Sequence, residues 1–360
     1  MSALRIHAGP RARARIAREG LQPADVGVVP AAAGGPKGLL LGPLDRFLFG
    51  DWLARSTQPV HLVGASIGAW RMATACLDDC VAAFSRLERD YIAQDYELEP
   101  GRKAPTAAHV SERFGQGLEA FYGGRVQEVL SHPRFRLHIL TSRGRHLLAR
   151  EHRVGTPLGY LGAFLTNGLH RKAMGAWLER VVFSAGGGAT PLPFGTGDYR
   201  TRQVGLTEAN FRPALQASCS IPFVLQAVHD IPGAPRGAYW DGGITDYHLH
   251  LDWNRGGSGP LVLYPHFQKA VVPGWLDKPF KWRHGATHFL DNTVVLAPDP
   301  AWVATLPNAK LPDRTDFTRY GTDLAARMKA WTTAVRESAR LADEFAAWLD
   351  KPDPARVEPL

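Results

Sequence analysis

The stretch His61-Leu62-Val63-Gly64-Ala65-Ser66-Ile67-Gly68 decides how this chain reads, because Gly64-x-Ser66-x-Gly68 stands between a predicted strand, 59–65, and a predicted helix, 67–79. A serine on such a turn stands clear of a sheet only if the backbone bends sharply. Gly64 and Gly68 remove the β-carbons that would collide at the bend. A structural Gly/Ser turn shows the same local pattern, so the weight rests on what accompanies it. About 30 residues upstream, Ala33-Gly34-Gly35-Pro36-Lys37-Gly38 occupies another predicted strand-to-helix turn, between 24–33 and 39–56. Backbone amides of Gly34, Gly35, Lys37 and Gly38 are candidates for an oxyanion hole; Pro36 has no N–H to offer. One such donor contributes about 3 kcal/mol to a developing oxyanion. Neither GxxxxGK followed by Ser or Thr nor GxGxxG is present, which disfavours a nucleotide-phosphate loop.

Downstream, Tyr239-Trp240-Asp241-Gly242-Gly243 puts an aspartate at the end of a predicted strand, 238–240. Asp-Gly-Gly alone is ordinary turn chemistry. In company with the other two turns it completes a set of nucleophile (Ser66), base (Asp241) and amide-lined anion site.

These motifs, in this order, resemble the patatin-like phospholipase family, and Ala214-Leu215-Gln216-Ala217-Ser218-Cys219-Ser220-Ile221-Pro222 resembles that family's small-residue block ending in Ile-Pro. The resemblance covers roughly 24–250. It implies a three-layer α/β/α sandwich and a Ser66–Asp241 dyad without histidine. It also implies a serine acyl-ester hydrolase acting on phospholipids, lysophospholipids or neutral glycerides, with no cofactor and no metal. Three positions depart from the family pattern: Ala33 replaces a glycine, Lys37 an arginine, and Asp246-Tyr247-His248 stands where Asn-x-Pro is frequent. A carboxylate with a reference pKa near 3.9 is a weak base toward serine, so a dyad must lean on positioning and on its anion site. The alternatives are an α/β-hydrolase triad drawing on His248, His250, His266, His284 or His288, and a lipid-binding or partner-docking module without turnover. The triad fits less well, because its elbow usually follows several strands and Ser66 has room for two.

Strands are also predicted at 134–142, 181–184, 261–264 and 293–297, helices at 81–96, 158–180 and 208–218, and a surface loop at 97–108. The alternation argues for an α/β fold. A basic N-terminal segment, 1–23, is expected to precede a catalytic domain, 24–300. A helical extension, 301–360, is expected to pack on that domain through one long C-terminal helix, 322–350. Cys76, Cys80 and Cys219 leave one cysteine unpaired in any internal scheme and show no CxxC spacing, which favours a reducing cytoplasm. No signal-like run or apolar span of about 20 residues occurs.

The net charge of +8 favours anionic partners, and without nucleic-acid motifs an acidic lipid surface is the better fit than a nucleic acid. In 271–283, Trp275, Phe280 and Trp282 interleave with Lys278, Lys281 and Arg283, a mixture suited to peripheral contact with an anionic membrane. The same rings could instead anchor the loop on the core.

Overall fold

In the computed structural model, which describes residues 1–97, 101–102, 104–186, 190–254 and 259–360, the strands Leu4–Ala8 (β1), Val26–Ala31 (β2), Val60–Ala65 (β3), Phe135–Gly144 (β4), Leu178–Ser184 (β5), Thr201–Gly205 (β6), Val228–His229 (β7), Ala238–Asp241 (β8), Leu261–Pro265 (β9), Thr293–Pro298 (β10) and Val357–Pro359 (β11) form one mixed sheet. Its order is β11-β1-β10-β9-β2-β3-β4-β5-β6, with β8 on β4 and β7 on β8. Strands β10, β9, β2, β3 and β4 run parallel, while β1 and β5 oppose their inner neighbours.

Parallel strands must be covered on both faces, and the side chains sort accordingly. Leu261, Leu263, Val294 and Leu296 enter one core, with the helices Ile67–Ala75, Cys80–Ile92, Ala107–Tyr122, Glu208–Cys219 and Ala339–Asp350. Their alternates Val262, Tyr264, Val295 and Ala297 enter another, beneath Leu249, Trp253, Phe267 and Val271. The fold is α/β, a mixed central sheet with helices around it.

One pairing places the candidate site. Strand β3 runs along one edge of β4 until Ala65 lies opposite Leu140. Strand β8 comes down the same edge from the other end and stops with Asp241 opposite Thr141. The two strands meet head-on, so Ser66 and Asp241 leave the sheet side by side.

Several expected elements differ. The single C-terminal helix is two, Leu324–Glu337 and Ala339–Asp350. Ser338, buried at the break, turns its hydroxyl onto the Val335 carbonyl at 2.7 Å, a local bond that competes with helix continuation. The helix expected over 158–180 is Gly155–Leu169 followed by a 3₁₀ turn, Arg171–Ala176; the residues beyond Leu169 serve buried ion pairs and β5 instead. The run 39–56 is helical but irregular: a 3₁₀ stretch (Gly35–Leu41), one α segment opening with Pro43 near its start (Gly42–Phe47), a π turn (Leu48–Trp52) and a 3₁₀ turn (Leu53–Arg55).

Helix Ala107–Tyr122 was not expected; Thr106 caps it by accepting from the His109 N–H at 3.2 Å. Of the loop expected at 97–108, residues 98–100 and 103 lie outside the described residues. Within 1–23, β1 joins the sheet between β10 and β11, and Ala12 and Ile16 of the helix Pro10–Glu19 enter the core. The C-terminal residues 301–360 add β11, with Val357 paired to Ile6. No helix of the described residues is long and apolar enough to cross a membrane.

Candidate active site

Ser66 takes φ 56° and ψ −130°, a conformation unfavourable to any residue with a β-carbon, at the junction of β3 and the helix Ile67–Ala75. Such strain costs about 1–3 kcal/mol and persists only where the surroundings impose it. Here they do. A β-carbon on Gly68 would lie 1.9 Å from the Ala31 carbonyl oxygen, and one on Gly64 would lie 2.4 Å from the Ala69 Cα. Both glycines therefore let the helix sit directly on β2 and β3. Every residue of that helix is buried, and Arg71 ties it to Asp45 through two bonds of 2.6 and 2.7 Å.

The Ser66 hydroxyl donates to Asp241 Oδ2 at 2.7 Å, and the Gly243 N–H donates to Oδ1 of the same carboxylate at 2.7 Å. Ser66 and Asp241 are both buried. Burial pushes the Asp241 carboxyl above its ordinary value, while the Ser66 hydroxyl, Arg314, the Gly243 amide and Lys278 pull it back. The carboxylate is thus a stronger base than in water yet has four groups favouring its ionised form. A β-carbon on Gly243 would lie 2.6 Å from that of Ala33, so the second glycine after Asp241 lets the glycine turn close in. The Ala33 N–H donates to the Tyr247 carbonyl at 2.9 Å and fixes that approach.

Within 33–38, Gly34 precedes the 3₁₀ stretch and Gly35 opens it, whereas Lys37 and Gly38 lie further inside, where N–H groups are drawn to carbonyls three residues back. Among the described residues, neither the Gly34 nor the Gly35 N–H donates to a backbone carbonyl outside that stretch. Gly35 holds φ 56°, the left-handed region that suits glycine. Of the four expected amides, these two are the better placed for an anion.

Ser218 was inside a block singled out only by resemblance. It accepts the Ser66 N–H at 2.9 Å and donates to the Leu140 carbonyl at 2.7 Å, holding the elbow to β4. Its neighbour Cys219 is buried, which keeps the thiol far above its ordinary pKa and therefore protonated. Asp246, one of the departures, is a buried anchor: Arg180 grips it through bonds of 2.7 and 2.6 Å and reaches Asp198 as well. The sequence carried a signal for that pair only in having charged residues inside otherwise apolar elements.

Among the described residues no histidine hydrogen-bonds to Ser66 or Asp241. His250 joins the Val271 carbonyl and Thr287, His284 the Asp277 carbonyl, and His266 the Gln268 carbonyl. His248 bonds Ala270 and Val272 and stacks on Tyr247, and His288 packs on Phe289. Among the described residues no group of three or more His, Cys, Asp or Glu could hold a metal ion.

A cleft of about 200 Å³ opens on Asp241 at the carboxyl ends of the parallel strands, where open α/β sheets bind ligands. A larger groove of about 750 Å³, between Leu21, Trp52, Arg55 and Leu349, lies where β2 and β3 begin, away from Ser66.

The three aromatic residues expected at a membrane differ in exposure, although Phe280 and Trp282 are in ring contact at 5.0 Å. Trp275 is half-buried and lines the cleft; Phe280 stacks on Phe164 at 5.6 Å; only Trp282, 73% exposed, stands in solvent. Comparison with protein-family models finds no match for the chain, and comparison with curated proteins finds none either.

Proposed function

We propose that this protein is a serine acyl-ester hydrolase of patatin-like type, cleaving lipid esters through an acyl-serine intermediate. The observation that carries the reading is the buried 2.7 Å bond from Ser66 to Asp241 at the head of a cleft. In the proposed reaction Asp241 accepts the hydroxyl proton as Ser66 Oγ attacks the ester carbonyl. The carbonyl oxygen turns negative beside the Gly34 and Gly35 amides, and the proton passes to the departing alkoxide. Water, deprotonated by the same carboxylate, then releases the acid and restores Ser66. Untargeted lipid profiling after incubation with wild-type or Ser66→Ala protein tests this. One class of acyl ester should disappear only with wild type, and identical profiles would contradict the proposal.

Lipid as substrate is supported by the surface beside the cleft. Residues 154–170 contain no Asp, Glu, Lys or Arg, and Leu158, Leu161, Leu165 and Leu169 each leave more than half of their surface in solvent. The helix that bears them contacts the two segments whose Ile221, Pro222, Trp275 and Lys278 line the cleft: Phe223 packs edge-on against Tyr160, and Phe280, itself against Trp282, stacks on Phe164. Exposed Arg153, Lys172 and Lys281 flank this face. An apolar face framed by cations fits an anionic bilayer, with each buried leucine contributing about 1.5–3 kcal/mol and each cation about 1. A Leu158→Ser, Leu165→Ser, Trp282→Ser variant should bind phosphatidylcholine/phosphatidylglycerol vesicles at least about a hundredfold more weakly. Unchanged partitioning in a flotation assay would remove this face from the account.

A further inference from the structure

Three cations border the cleft on Asp241: Lys37 from the glycine turn, Lys278, and Arg314. Three other guanidiniums are matched by carboxylates: Arg71 on Asp45, Arg180 on Asp246 and Arg171 on Asp277. Among the described residues none of Lys37, Lys278 and Arg314 has a carboxylate within 4.0 Å. The acids beside them in sequence are engaged elsewhere: Asp277 by Arg171 and Arg283, both at 2.8 Å, and Asp313, which also lines the cleft, by Lys310 at 2.7 Å and the Thr315 N–H at 2.8 Å.

Aromatic rings support the two lysines instead: Lys37 Nζ lies 5.3 Å from the Phe267 ring centre and Lys278 Nζ 4.1 Å from that of Tyr247. A ring holds an ammonium by its face and leaves the N–H donors free for a ligand. Arg314 reaches toward the glycine turn, its Nε 3.4 Å from where a β-carbon on Gly35 would stand. The charges feel one another. Burial, then Lys37 and Arg314, bring the Lys278 pKa down to about 8. The Asp241 carboxylate offsets part of this charge, and the positive excess that remains in a partly desolvated cleft is relieved when an anion enters; such arrangements mark binding sites.

We infer that Lys37, Lys278 and Arg314 form an anion subsite beside Ser66, so that the preferred substrate is an acyl ester carrying a phosphate or carboxylate close to the scissile bond, with neutral glycerides disfavoured. This rests on the hydrolase reading above. Lys278 and Arg314 lie outside the stretch that carries the family resemblance, which makes the subsite a property of this chain's later segments.

The test compares two monomeric short-chain lipids of equal acyl length: 1-acyl lysophosphatidylglycerol, whose phosphodiester keeps one negative charge, and 1-monoacylglycerol. The kcat/KM ratio of the anionic to the neutral ester should fall about 10- to 100-fold in Lys278→Met and in Arg314→Met. Lys278→Arg and Arg314→Lys should restore much of it. In wild type the ratio should also decline above pH 8, as Lys278 loses its proton. The groups facing Lys278 are Lys37, Arg314, Asp241 and Tyr247; burial holds the Tyr247 phenol up at about 12, so its titration does not account for such a decline.

A ratio near one in wild type, with both esters hydrolysed, overturns the subsite and leaves the hydrolase reading standing. Inorganic phosphate should inhibit competitively against the anionic ester. If phosphate binding vanishes in the variants while the ratio is kept, the site takes free phosphate and the substrate assignment fails. If neither ester turns over, calorimetric titration of both lipids into Ser66→Ala protein still decides: tighter binding of the phospholipid, lost in Ser66→Ala, Lys278→Met, supports the subsite, and equal binding overturns it.

Discussion

Ser66→Ala and Asp241→Asn are each expected to lower kcat for a soluble acyl ester by at least about a thousandfold while the protein remains folded. The two losses should not multiply in the double variant, because nucleophile and base act in one step. Their effects on stability should differ from those on rate. Burial raises the Asp241 pKa in the folded chain, so the stabilising contribution of this group is full below its unfolded pKa and is lost as pH rises through the folded value. At neutral pH the buried carboxylate therefore weakens the fold, and Asp241→Asn should melt at the same temperature as wild type or higher. Activity runs the other way, since the base must be ionised: kcat should fall as pH drops through the raised pKa. A Tm lowered in step with activity would mean that Asp241 holds the structure together and does not serve the reaction.

Arg180→Met is expected to destabilise the fold by about 3–5 kcal/mol, measured by urea denaturation at neutral pH. The guanidinium is completely buried and binds Asp246 and Asp198, so its removal leaves the buried Asp246 with only the longer 3.6 Å contact of Arg171 and takes the ion pair from the mostly enclosed Asp198. Asp246 lies in the helical turn, Gly243–Asp246, that follows Asp241 directly. The site should loosen with the fold, and activity per folded molecule should fall as well. Wild-type stability in this variant would show that water or neighbouring groups solvate the two acids without Arg180.

The parts of the site carried by local rules were legible in the sequence. Gly64, Gly68 and Gly243 are glycines because a backbone or a close neighbour occupies the place of a side chain, and such demands fall at fixed offsets from Ser66 and Asp241. The buried strands β2, β3, β9 and β10 announced themselves as apolar runs. What escaped depends on partners far along the chain. β1 is held between β10 and β11, pairings across nearly the whole sequence that no window of residues contains. Ser218 is an unremarkable small residue until β4 brings the Leu140 carbonyl and the Ser66 amide to it from two sides. The exposed leucines of Gly155–Leu169 escaped for a different reason: helical periodicity locates an apolar stripe but does not say whether protein or something else covers it.

The most direct measurement is covalent capture of Ser66. A fluorophosphonate probe incubated with the protein should add one adduct by intact mass, mapped by peptide fragmentation to Ser66. Labelling should be absent in Ser66→Ala and much slowed in Asp241→Asn, whose side chain can still hold the serine hydroxyl but cannot take its proton. An unlabelled wild-type protein, or an adduct on another residue with Ser66 left untouched, would contradict the claim that Ser66 and Asp241 form a working dyad.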